Sequence, residues 1–174
     1  TTAARRPVVP TSITKMLVGW AHLVAAEEGT LALDTSVGQQ GCTVRHLLAH
    51  AGGYGFDGAE PIARPGQRRI YSNTGIEIAT AALADAAEMP FADYFREAVL
   101  APLAMTASTL PGSAAYSLRS TVDDLVRFVG ELTAPQLVSE ASAQAYRSVQ
   151  LPGLRGLVPG VGRYQDCAWG LGTE

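Results

Sequence analysis

The sequence predicts a mainly α-helical fold for its 174 residues. Three observations lead there. Long segments repeat apolar residues every three to four positions, most of them open on a capping residue or a proline, and 47% of the residues are hydrophobic, enough for a real core. The chain is the size of one ordinary domain and is read as a single unit over residues 1–174.

The first helix is predicted from Thr11 or Ser12, after Pro10, to about Glu28, with Met16, Leu17, Trp20, Leu23 and Val24 as its buried stripe and Gly29 as its stop. "TLALDTSV" reads as short and extended. Thr43 then caps a brief helix, "VRHLLAH", that ends at the glycines of "AGGYG", and residues 51–70 read as loop. Within 64–89, a Pro-Gly turn in "RPGQRRIYSN" leads to a short extended piece, "IYSN", and then to a second long helix with Ile76, Ile78, Ala79, Ala82 and Leu83 inward. Tyr71, Ser72 and Asn73 therefore stand at the mouth of that helix.

Residues 90–133 hold two more helices, one starting at Pro90 and one over "STVDDLVRFVGELT", for which Ser120 is the expected N-cap and Asp123 lies in the first turn. "SEASAQAYRSVQ" makes a further helix. From Leu151 the chain is rich in Gly and Pro, and 165–174, with "CAWGLGTE", reads as the beginning of a strand. There is no internal repeat and no low-complexity tract.

Composition excludes several functions. Net charge is −3, and Arg5-Arg6 and Arg68-Arg69 are the only adjacent basic pairs, so no nucleic-acid surface is expected. Met16 to Ala26, the longest apolar stretch, is interrupted by His22 and is well short of the roughly 20 residues that span a bilayer. Cys42 and Cys167 are far apart with no Cys-x-x-Cys spacing, which predicts idle thiols, neither a metal knuckle nor a disulfide framework. The start "TTAARRPVV" has neither an initiator Met nor a charged-then-apolar leader. Either a leader was removed or the start is not native, and localisation stays open between cytoplasm and export.

Three groupings carry candidate chemistry. Ser12 and Lys15 are three apart and share a helix face, at an N-terminus whose positive potential favours an oxyanion and disfavours an ammonium. A serine hydroxyl needs a neighbouring base, and a lysine with a depressed pKa can serve; the plainer alternative is a capping Ser beside a solvated Lys. Tyr71 and Asn73 alternate by two, so an extended backbone points them the same way, Tyr71 as a proton carrier beside a cation and Asn73 as a polar contact for substrate. The alternative is a turn in which Asn73 caps the helix. His46 and His50 have the spacing of a zincin site, but Leu47, Leu48 and Ala49 stand between them where such a site needs a Glu. No metal is expected there, and histidines bonded to backbone are the expected reading.

Taken in order, "TSITK", "LVAAEEGTLALD", "TVRHLLAHAGG", "RPGQRRIYSNTG", "PFADYFREAVLAPLAMTAS" and "STVDDLVRFVGEL" resemble the serine β-lactamase and penicillin-binding-protein superfamily. The likeness is to its class C-like branch, with D-alanyl-D-alanine carboxypeptidases and related esterases. It implies that Ser12 is the acylated nucleophile, Lys15 its partner, Tyr71 the general base and Asn73 a substrate contact. It also implies an α+β β-lactamase/transpeptidase-like fold of which this chain holds the helical portion. The family's third motif and second oxyanion donor sit on a strand of an antiparallel sheet, most of which is expected to be missing, since no Lys follows Lys15 and few residues precede Ser12. The chain is thus expected to be a piece of a larger protein.

The resulting expectation is a serine hydrolase that forms an acyl-enzyme on an ester, a D-Ala-D-Ala-type peptide or a β-lactam, without cofactor or metal. The alternative is an inactive relative that binds a peptide or cell-wall fragment. Either way the partner is a small molecule or peptide, and oligomeric state is not readable.

Overall fold

A computed structural model describes residue 6 and residues 8–173. Arg5 of the first basic pair and Glu174, the end of the expected strand, lie outside the described residues.

Helix α1 spans Ile13–Glu28 and ends where Gly29, at φ 80°, turns its N–H back to the carbonyls of Ala25 and Ala26. It is buried on more than one stripe: Thr14, Lys15 and every residue from Leu17 to Ala25 are shielded. A helix covered on all sides needs apolar residues all round, which "MLVGWAHLVAA" supplies. The exception, His22, sets its ring nitrogens 2.8 and 3.1 Å from the carbonyl oxygens of Val18 and Ala79.

Five further helices surround α1 among the described residues: α2 (Val44–Leu48), α3 (Asn73–Ala87), α4 (Phe91–Phe95), α5 (Val122–Thr133) and α6 (Glu140–Arg147). The α4 helix runs on into a wider π-helical turn, Arg96–Leu100. Trp20 of α1 ties in α5 and α6, meeting Phe128 and Tyr146 edge-on and donating from Nε1 to Glu131 Oε1 at 3.2 Å. Thr43 caps α2, as its sequence suggests. The cap of α5 is Thr121, one residue after the expected Ser120, because the Ser120 hydroxyl turns inward to Ser108 Oγ at 2.7 Å.

A small three-stranded sheet accompanies the helices. Strand β1 (Arg69–Ile70) pairs in parallel with β2 (Gly156–Val158), with Arg69 opposite Gly156, and β2 pairs antiparallel with β3 (Gly162–Tyr164). These strands lie upstream of the one expected at 165–174, and no strand is found over 165–173. The backbone of that segment bonds elsewhere: Gln150 N–H donates to Trp169 O, Leu171 N–H to Tyr146 O and Gly172 N–H to Leu48 O. "TLALDTSV" is likewise mostly turn, with one bridge from Ser36 to Thr43.

Arg69, read from sequence only as half of a basic pair, is buried and ties this region together. Its guanidinium donates to the carbonyls of Ala49, Cys167, Gln150 and Leu151, so β1, the end of α2 and the C-terminal segment share one clamp. Cys42 and Cys167 are both buried and form no disulfide with each other. No helix among the described residues is long and apolar enough to cross a membrane.

Candidate active site

Ser12 occupies the N-cap position of α1 (φ −68°, ψ −11°), yet its side chain makes no capping bond. It follows Thr11, whose φ of 36° is an unusual left-handed value for a β-branched residue. The tight turn is held from within by Thr14, whose hydroxyl donates to Thr11 O at 2.5 Å. The turn thus leaves the Ser12 hydroxyl exposed rather than engaged in holding the helix.

Lys15 lies one turn further in and is only 2% exposed. Its Nζ donates to Asn73 Oδ1 at 2.8 Å and to Ala115 O at 2.9 Å, and sits 4.7 Å from the centre of the Tyr71 ring. Burial pulls its pKa from 10.5 to about 8, against the opposing charges of Glu77 and Asp57.

Ser12, Lys15 and Tyr71 line one cleft of about 550 Å³, with Val158, Trp169 and Thr173 on its other walls. Sheet and C-terminal segment therefore close a space that α1 opens. Asn73 stands apart from this lining. It is 7% exposed at the first turn of α3, with Oδ1 on Lys15 and Nδ2 donating to Asp57 Oδ1 at 3.2 Å. The helix cap at this point is Ser72, which accepts from Gly75 N–H at 2.9 Å, so Asn73 is free to face Lys15.

The two other histidines separate. His46 Nδ1 lies 2.8 Å from Thr43 Oγ1. His50, at φ 55°, accepts the Ser72 N–H on Nδ1 at 3.1 Å and packs between Tyr71, at 4.6 Å between centroids, and Trp169, at 5.0 Å. Burial, then the charges of Lys15 and Arg69, push its pKa down to about 3, so it is neutral. No group of three His, Cys, Asp or Glu side chains able to hold a metal exists among the described residues.

Sequence reasoning missed His50 as the support of Tyr71, Trp169 as a cleft wall, and Asp57, Glu77 and Ala115 around Lys15. Of these only Glu77 carried a sequence signal, its place one helical turn after Asn73.

The beta-lactamase family model matches residues 10–172. The chain belongs to the beta-lactamase family. Among solved structures it is similar to a beta-lactamase from Mycobacterium bovis, 42% identical with a TM-score of 0.94, over 96% of this chain and 62% of that one. More distant family likenesses show the shared fold. One is a D-stereospecific amidohydrolase from Streptomyces (20% identity, TM-score 0.79, 95% of this chain and 70% of that one). Another is a beta-lactamase/D-alanine carboxypeptidase from Yersinia pestis (18%, TM-score 0.76, 97% and 66%). The chain thus spans about three fifths of the length of its Mycobacterium relative. No curated protein sequence matches it.

Proposed function

We propose that the protein is a serine hydrolase that works through an acyl-enzyme on Ser12. One observation carries this reading: a buried lysine, held at 2.8 and 2.9 Å by Asn73 Oδ1 and Ala115 O, lies beneath Tyr71 at a cleft that an exposed, uncommitted serine also lines.

In the first step the Ser12 Oγ forms a bond to the substrate carbonyl carbon and the carbonyl π pair moves to oxygen. The Ser12 proton passes to the Tyr71–Lys15 pair, which can take it near neutral pH because Lys15 titrates at about 8. The backbone N–H of Ser12 faces the developing oxyanion at the helix N-terminus. As the carbonyl re-forms, the bond to the leaving alcohol or amine breaks and that group takes the proton. Water then repeats the sequence on the acyl-enzyme, releasing the acid and restoring Ser12. Asn73 Oδ1 keeps the ammonium in place, while its Nδ2 donates to Asp57.

The substrate is an ester, a D-Ala-D-Ala-type peptide or a β-lactam. Met16, Val158, Val161 and Trp169 give the cleft apolar walls, which favours an apolar group beside the scissile carbonyl, as in an aliphatic ester.

Intact mass spectrometry after exposure to an activated ester or a penicillin tests this reading, with Ser12→Ala as control. The expected result is an adduct mapped to Ser12 and absent from the variant. Reversible binding of the probes with no adduct would overturn it and make the protein a binding module.

A further inference from the structure

We infer that Glu77 is a positioning residue for Lys15, acting both through its charge and through the Ala115 carbonyl that it holds; the catalytic part of this inference rests on the acyl-enzyme reading above. Glu77 follows Asn73 by four residues on α3, so both side chains leave the same face of that helix. Asn73 Oδ1 takes one bond from Lys15 Nζ, at 2.8 Å. The other goes to Ala115 O at 2.9 Å, and Ala115 is held by Glu77: the Glu77 Oε1 accepts the Ala115 N–H at 3.3 Å and also the Ser113 hydroxyl. Ser113 Oγ shares that same N–H at 3.1 Å, closing a small ring around the peptide. One turn of α3 therefore sets both acceptors of the ammonium.

Asp57 does the matching work on the other acceptor. It takes the Asn73 Nδ2 at 3.2 Å, which turns Oδ1 toward Lys15. A buried ammonium needs hydrogen-bond acceptors and nearby negative charge, and the two carboxylates supply the charge while ordering the acceptors. Of the two, Glu77 has the larger effect on Lys15. The other groups around the ammonium are the Tyr71 ring beyond β1, neutral His50 at the end of α2, and Ser12 at the start of its own helix.

A purely structural Glu77 would only pin the loop at 113–115. The two roles separate in Glu77→Gln, which keeps an oxygen acceptor for Ser113 and Ala115 but removes the charge. Lys15 is the only lysine in the sequence, so protein labelled with 13C-lysine gives a single side-chain signal whose titration reads its pKa directly. That titration, the pH profile of Ser12 acylation by an activated ester, and the thermal midpoint are measured on wild type, Glu77→Gln and Glu77→Ala. The expected result is a Lys15 midpoint near pH 8 in wild type. It falls by about one pH unit in Glu77→Gln, and the limb of the acylation profile that reports Lys15 moves with it. Glu77→Ala adds a loss of about tenfold or more in the plateau rate, because the Ala115 carbonyl is no longer fixed.

An unchanged Lys15 midpoint in a folded Glu77→Gln protein would overturn the inference, even if the thermal midpoint fell. An acylation profile that ignores a shifted midpoint would overturn its catalytic part. Wild type that titrates as expected but is never acylated would instead sink the acyl-enzyme reading and leave the coupling of Glu77 to Lys15 standing.

Discussion

Lys15 Nζ donates to Asn73 Oδ1 at 2.8 Å, joining residues 58 positions apart. The bond joins α1 to α3 and fixes the cation beside the Tyr71 ring. What the site can do depends on how this pair handles charge.

Replacing Asn73 tests that dependence from both directions. In Asn73→Ala, Lys15 keeps only Ala115 O, and Asp57 loses the donor at 3.2 Å, so unfolding in urea should show a loss of about 1–3 kcal/mol. Asn73→Asp places a carboxylate where the amide oxygen was, which favours the ammonium. The Lys15 midpoint should then rise above 8 and acylation at neutral pH should slow.

The buried histidines make the fold sensitive to acid. His50 gains its proton only near pH 3 in the folded protein, against an ordinary value of 6.5. Between those values the unfolded chain binds one more proton than the fold, so stability present above pH 6.5 is lost as pH falls, at about 1.4 kcal/mol per pH unit. His22, lowered by burial, acts in the same direction. Urea midpoints from pH 7 to pH 4 should show the decline. His50→Asn, which keeps an acceptor for the Ser72 N–H without a titrating ring, should flatten it by close to one proton.

Two glycines on helices should respond oppositely to alanine. A Cβ on Gly19 would overlap the Leu171 carbonyl, so Gly19→Ala must push away the segment that brings Trp169 and Thr173 to the cleft. It should lower stability by about 1–3 kcal/mol and reduce acylation. A Cβ on Gly130 in α5 meets nothing within 4 Å, and Gly130→Ala should stabilise by about 0.5–1 kcal/mol with acylation unchanged. Thermal or urea unfolding of both variants checks the contrast.

These particulars show where sequence reasoning reached and where it stopped. The long helices were readable because their signals are local: the apolar spacing of "MLVGWAHLVAA", the Gly29 stop, the break before Asn73. Ser12, Lys15 and Tyr71 were singled out on similarly local spacing, and the fold brings them to one cleft. The cap of α5 moved by one residue because a tertiary contact, Ser108 to Ser120, claimed the expected serine. The short strands were misplaced because "GLV" and "GRY" have too few residues to show alternation, and their pairing with Arg69–Ile70 is remote. Asp57, Ala115 and His50 were invisible for the same reason: each acts on Lys15 or Tyr71 only through folding at a distance.

Tyr71 offers the sharpest separation of chemistry from packing. Its ring fills the space between Phe56, His50 and Trp169, at centroid distances of 6.1, 4.6 and 5.5 Å, and lies over Lys15 Nζ. Phenylalanine keeps every one of those ring contacts and removes only the hydroxyl, so Tyr71→Phe should unfold within about 1 kcal/mol of wild type. If the hydroxyl carries the Ser12 proton, acylation should nevertheless fall by about 10²–10⁴-fold, the usual scale for a lost general base. Tyr71→Ala should lose both, since it also opens a cavity beside His50 and costs about 3–5 kcal/mol. Burst kinetics with an activated ester, run beside urea unfolding, read the two effects separately. A Phe variant acylated at the wild-type rate would move the base role to Lys15 alone and leave Tyr71 as a wall.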